Sequence, residues 1–161
     1  MIMLIIECII ICLIMWLICF LSTGTDEKNL IGLRSYPIEV QEIIKKNEKY
    51  KNKIKPTNLI KIFITNLIMF VIVLFVFGIF IKSNEFKINF INILVLGEIL
   101  NLFDLIVIDL IWWRNTKRIR FKDIPEKKLY QNPKHHIDSF IRGVFMYLLV
   151  ALIDGIILTI I

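Results

Sequence analysis

The sequence predicts an all-α membrane protein with four transmembrane helices and two basic cytoplasmic loops. Three observations carry this. Hydrophobic residues make up 57% of the 161 positions, with a mean hydropathy of +0.73. A soluble domain is roughly 45–50% apolar. The apolar residues gather in four runs, at about 1–21, 59–81, 88–113 and 137–161. A helix needs ~20 mainly apolar residues to cross ~30 Å of hydrocarbon, whereas a barrel strand needs only ~10. The composition excludes a disordered chain, and the length fits a single integral membrane domain over 1–161.

The first run is broken only by Glu7. No basic residue precedes it, and Leu21-Ser22-Thr23-Gly24 after it lacks a clean A-x-A site, so it reads as a retained helix rather than a signal. Cys19 follows Ile18, where a lipoprotein signal carries a small residue. Cys8, Cys12, Met15 and Cys19 fall within about 60° of one another on a helix. Three cysteines without a CxxC pair form neither a disulfide framework nor a zinc motif. They read as packing residues.

The loop at 22–58 and the loop at 114–136 each carry eight Lys or Arg residues. The turn between the second and third runs carries only Lys82 and Lys87. The positive-inside rule places both long loops in the cytoplasm and both termini outside. Trp16, Trp112 and Trp113 then fall near the cytoplasmic interface, where indole rings settle. The net charge of +6 is assigned to the anionic inner leaflet rather than to nucleic acid.

Within the first loop, Pro37 suits a first helical turn. Val40, Ile43 and Ile44, then Tyr50 and Ile54, share one face, with Lys45, Lys46, Lys49 and Lys53 elsewhere. This pattern predicts a basic amphipathic helix lying on the inner leaflet, ended by Pro56.

Polar groups inside the spans are the informative ones. An acid at the centre of a span costs roughly 2.5–3.5 kcal/mol on insertion scales and so faces a partner, a cavity or an ion path. Glu7, Glu98, Asn101, Asp104 and Asp154 are the candidate ion or proton site. The competing reading makes them polar glue between helices. If the third and fourth helices run antiparallel, Asp109 matches Arg142 in depth, and Glu98 matches Asp154. Asp109 and Arg142 are therefore a candidate structural pair. Glu98 and Asp154 are expected to share one proton, since two carboxylates repel in low dielectric. At 100° per residue Asp104 lies about 120–140° from both Glu98 and Asp109. It is expected to face another helix or a central cavity.

In the second loop, Arg114, Lys117, Arg118 and Arg120, with His135 and His136, are candidates for binding lipid phosphate or a partner. The same histidines with Glu126 and Tyr130 would suit acid–base chemistry. No P-loop, GxSxG, HExxH or dinucleotide fingerprint occurs. Neither a cofactor nor a metal site is expected, and a membrane enzyme using Glu126, Tyr130 and His136 stands as the third reading.

Three stretches carry a resemblance: 34–42 with Arg34, Tyr36 and Pro37; the Asn101, Asp104 and Asp109 helix; and the arginine-rich loop through Pro125, Tyr130 and His136 to Arg142-Gly143. Together these resemble a group of small four-span proteins from Firmicutes, mainly clostridia, over most of the chain after Leu30. The resemblance implies a membrane location, and some members bear permease-like labels. Small multidrug transporters, which carry an acid in their first helix, offer an analogy for Glu7. The long loops and the absence of that family's motifs argue against membership. The expected function is a small proton-linked transporter or an accessory permease subunit of a bacterial plasma membrane, as a homo-oligomer or within a larger permease complex. The alternative is an interaction or assembly protein whose basic loops grip lipid or a cytoplasmic partner.

Overall fold

In the computed structural model the described residues are 2–54 and 58–161. The protein is 80% helix, with no strand among the described residues. Helices α1 (Ile2–Leu21), α2 (Asp26–Ile31), α3 (Ile38–Lys46), α4 (Glu48–Lys51), α5 (Leu59–Phe80), α6 (Phe86–Phe103) and α7 (Lys134–Ile160) follow one another. Short 3-10 turns stand at Leu33–Ser35 and Lys127–Tyr130. The four apolar runs form helices long enough to cross a membrane: α1, α5, α6 with its continuation to Trp113, and α7. Helix α6 does not continue as an α-helix. From Asp104 to Trp113 it is a π-helix, a rare winding with i to i+5 hydrogen bonds.

The chain divides into two compact units. One comprises Met1–Leu13, Thr57–Phe103 and Phe140–Ile161. Its buried apolar side chains include Leu74, Ile93, Leu96, Leu100, Val150 and Leu158. Asn58 starts α5 by accepting hydrogen bonds from the Ile60 and Lys61 N–H groups. The α5–α6 turn is held by Asn89, which accepts from the Ser83 N–H and donates to the Ser83 carbonyl, each at 2.8 Å, and donates to Thr159 Oγ1 at 2.9 Å. Gly97 and Gly155 allow close packing. A Cβ at Gly97 would stand 2.7 Å from the Tyr147 ring, and one at Gly155 would stand 3.2 Å from the Phe90 backbone. Small residues serve this purpose in membrane helices, where no hydrophobic drive holds helices together.

The other unit comprises Ile14–Pro56 and Asp104–Ser139. It has its own apolar core, built from both long connecting segments. Leu33, Tyr36, Val40, Ile44 and Tyr50 from the first pack with Trp113, Ile119, Phe121, Ile124 and Tyr130 from the second. This revises the expected use of the amphipathic face. The Val40 and Ile44 side chains of α3 are fully buried against protein, because the second segment supplies the aromatic and branched side chains that cover them. The helix is also shorter than expected. Asn47 ends α3, and its side chain caps α4 by accepting from the Lys49 N–H at 2.9 Å. The expected break at Pro56 lies outside the described residues.

Candidate functional site: a cavity in the second unit

The site is built on the π-helix. On an α-helix, Asp104 and Asp109 would lie about 140° apart, and Asp104 and Trp113 about 180°. An i to i+5 hydrogen-bond ladder instead brings residues five apart onto one side. Asp104, Ile108, Asp109, Trp112 and Trp113 all line one cavity of about 420 Å³. Helix α1 contributes Met15 and Cys19, the α2 region contributes Lys28 and Asn29, and Tyr36 follows. His135, His136 and Ser139 enter from the first turns of α7.

His136 and Asp109 form the central pair. His136 Nδ1 stands 2.9 Å from Asp109 Oδ2, with the side chains 3% and 17% exposed. The Trp113 ring meets the imidazole edge-on, at 4.9 Å between centroids. An ionised carboxylate only accepts hydrogen bonds, so Nδ1 is the donor. In the neutral imidazole Nε2 then carries a lone pair. Nε2 is buried and has no hydrogen-bond partner among the described residues.

The surrounding frame is bonded in detail. Arg118 donates to the carbonyls of Phe20 at 3.1 Å and Thr23 at 3.0 Å, and its guanidinium lies 3.9 Å from the Phe20 ring centre. A cation there complements the negative end of α1. Lys28 Nζ donates to the Leu21 carbonyl at 2.8 Å. Asn29 donates to the Arg118 carbonyl and accepts from the Gly24 N–H. The Tyr36 hydroxyl donates to the Ile119 carbonyl at 2.8 Å, and burial pushes its phenol well above the ordinary range. Tyr130 donates to the Ile124 carbonyl and accepts from the Phe121 N–H, and burial raises it too. Asp26 accepts from the Tyr50 hydroxyl at 2.7 Å and the Lys122 N–H at 3.1 Å, with Lys49 Nζ at 3.5 Å. Burial pushes its carboxyl up, but these partners outweigh burial and hold it below the usual range.

The residues singled out in the sequence divide between the two units. Asp104, Asp109, His135 and His136 line the cavity. Glu7, Glu98, Asn101, Asp154 and Arg142 belong to the first unit. There Glu7 and Asp154 are buried, and none of their carboxylate oxygens has a hydrogen-bond partner among the described residues. Glu98 accepts from Asn101 Nδ2 at 3.4 Å, and the same nitrogen reaches the Phe140 carbonyl at 3.2 Å. Asp109, the candidate partner of Arg142, stands 2.9 Å from His136 Nδ1. His136 and Arg118, expected at the lipid surface, face inward because each has an internal acceptor. Arg120 reaches the Pro125 carbonyl at 3.5 Å, Gln131 donates to the Arg114 carbonyl, and Lys117 is exposed. Tyr36, Asn29 and Ser139 are cavity residues that the sequence reading passed over. A recurrence at 104, 108–109 and 112–113 was the available signal, since it is longer than the α-helical spacing.

No protein-family model matches the chain, and neither does any curated protein or solved structure. The class defined by the fold is a multi-pass membrane protein with four apolar helices. Among the described residues, no three His, Cys, Asp or Glu side chains converge to hold a metal ion.

Proposed function

We propose that the protein is a small proton-linked carrier, or the solute-binding subunit of a larger permease, in a bacterial plasma membrane. The observation that carries this reading is the Asp109–His136 pair, two titratable residues that line a solute-sized cavity. In this reading Nε2 takes a proton and Asp109 balances the charge. The solute exchanges against that proton. The other titratable groups lining the cavity are Cys19, Lys28, Tyr36, Asp104 and His135. The two Lys/Arg-rich segments then lie in the cytoplasm, with both termini outside.

The test uses proteoliposomes loaded with pyranine and given a pH gradient. Monovalent cations, amines, carboxylates and alcohols are added in turn, with protein-free vesicles as control. A solute that collapses the gradient with the wild-type protein, but not with Asp109→Asn, supports the proposal. Folded protein that gives no solute-dependent proton flux overturns it. The second reading, an assembly protein, is favoured by the exposure of Ile31 and Ile38, at 89% and 63%, on the basic first segment. A protein that copurifies with the wild-type chain but not with Ile31→Ser/Ile38→Ser would support that reading.

A further inference from the structure

The exposed side of α5 carries a seam that fits a second copy of the chain. We propose that the protein forms a parallel dimer about a two-fold axis along the membrane normal. Its two α5 helices meet through Ile62, Asn66, Met69, Val73, Val76 and Phe80, and the Asn66 side chains of the two copies bond to each other.

The spacing comes first. These six residues recur at intervals of four, three, four, three and four, and at 100° per residue they fall within about 80° of arc. Alternation of four and three is the seam of a left-handed helix pair. Asn66, Met69, Val76 and Phe80 are exposed, and Ile62 and Val73 are half-buried. Helix α5 meets the rest of its own unit on another side. Leu74 is fully buried, and a Cβ at Gly78 would stand 2.6 Å from Leu158 and 2.7 Å from Ile93. Leu74 and Gly78 lie about 120–160° from the middle of the seam. Packing within the chain therefore leaves the seam open.

Asn66 decides what covers it. It lies about 7.5 Å along the axis beyond Lys61, the last charge before the apolar stretch, and about 21 Å short of Phe80. Its side chain makes no hydrogen bond with any described residue. An amide in hydrocarbon needs a polar partner, which an acyl chain does not supply. A short side chain also does not reach the headgroups from that depth, as Lys and Arg do. A second copy brings the partner by necessity. Copies of one chain insert with one orientation, so their α5 helices run parallel and their Asn66 side chains stand at one depth. The amide offers both donors and an acceptor, so each satisfies the other across a two-fold axis. A single Asn in such a seam also fixes its register and the number of helices. The span of another protein meets the same need only where it carries a polar group at that level.

The first experiment uses the full chain in liposomes, with Cys8, Cys12 and Cys19 replaced by Ala and one cysteine introduced at a time. Copper–phenanthroline oxidation should join Met69→Cys chains, and Val76→Cys chains, into a species of twice the 19.1 kDa chain mass. Ile64→Cys, exposed but about 160° from the seam, should stay at the single-chain mass. The second experiment keeps the native cysteines. Photobleaching of a fluorophore on a C-terminal tag counts copies over a range of lipid-to-protein ratios. The wild type should pass from one step to two as lipid is withdrawn. Asn66→Leu should weaken dimerisation about tenfold, the scale of an interhelical hydrogen bond in a membrane. Asn66→Gln keeps the amide and should recover most of it, with helical circular dichroism the same in all three.

A chain that stays single at every ratio overturns the proposal. So does a dimer that Asn66→Leu leaves equally tight, or one that Ile64→Cys cross-links as well as Met69→Cys. A different membrane protein retained through Asn66, with this chain present once, overturns it as well. If the cysteine-free chain fails to fold, the photobleaching comparison still decides.

Discussion

The imidazole of His136 is tied to the carboxylate of Asp109 at 2.9 Å, with both groups largely shielded from solvent. A hydrogen bond to a charged group contributes about 1.5–3 kcal/mol, and breaking a buried pair leaves the survivor uncompensated. Asp109→Leu and His136→Leu should each destabilise the protein by about that much. The double variant should lose less than the sum of the two, with a coupling on the order of 1 kcal/mol or more. Thermal unfolding in detergent, followed by fluorescence-detected gel filtration, gives all three values. Additive losses would mean the pair does not act as a unit.

Reading periodicity at 100° per residue separated Asp104 from Asp109, and the π-helix rejoins them in one cavity. A single-cysteine scan from residue 100 to 113 tests that winding. In a cysteine-free background, a small water-soluble thiol reagent should label cavity positions more than positions that do not line the cavity. Positions 104, 108, 109, 112 and 113 should react as one group. A pattern repeating every three to four residues throughout would show α-helical winding instead.

Much of the architecture was legible because lipid imposes a coarse rule. Each span must bond its own backbone and be apolar over its length, and four such helices stand where the apolar runs are. The cavity was harder to read. Its acids were visible as unwelcome residues in a span, but other residues of the cavity, such as Tyr36 and Asn29, come from distant segments. A local change of helical period is also invisible to an argument that assumes one period. The face of Val40 and Ile44 reads the same whether lipid or protein covers it. Only the second segment's Ile119, Phe121 and Tyr130 decide between the two.

That face provides the next prediction. Ile44 is fully buried in the core of the second unit. Ile44→Ala should cost about 2–5 kcal/mol, the range for a large-to-small core change. The loss should be the same in zwitterionic and anionic detergent micelles. A face resting on anionic lipid would instead lose lipid affinity with little loss of stability.

The Asp26 cluster sets a pH response outside the spans. The Asp26 carboxyl lies below its ordinary value, because bonds from Tyr50, Lys122 and Lys49 outweigh burial. The native state then binds fewer protons than the unfolded chain below about pH 4. Its contribution is complete above that and is lost as pH falls through the lowered native value. The Tyr50 phenol is pushed up to about 12, by burial first and then by its bond to Asp26. Its contribution holds below about pH 10, the ordinary tyrosine value, and is lost as pH rises through 12. Asp26→Asn should flatten the acid limb of stability against pH, and Tyr50→Phe the alkaline limb. A limb unchanged by its variant would assign that pH response to another group.

Asp154 and Glu98, two acids of the first unit, separate glue from function. Asp154 is fully buried, and neither of its oxygens has a hydrogen-bond partner among the described residues. A buried carboxyl without partners is a liability that an apolar side chain of similar volume removes. Asp154→Leu should therefore leave stability unchanged or raise it. Glu98 differs, since it accepts from Asn101 at 3.4 Å. Glu98→Leu should lose about 0.5–1.5 kcal/mol, the net worth of one hydrogen bond. Thermal unfolding of the two variants gives the contrast directly. A loss above about 1 kcal/mol for Asp154→Leu would mean that its carboxyl holds the helices together, as the glue reading requires. A stable Asp154→Leu protein whose solute-driven proton flux has vanished would place the acid on the proton path. A stable variant with flux intact would take Asp154 off the proton path.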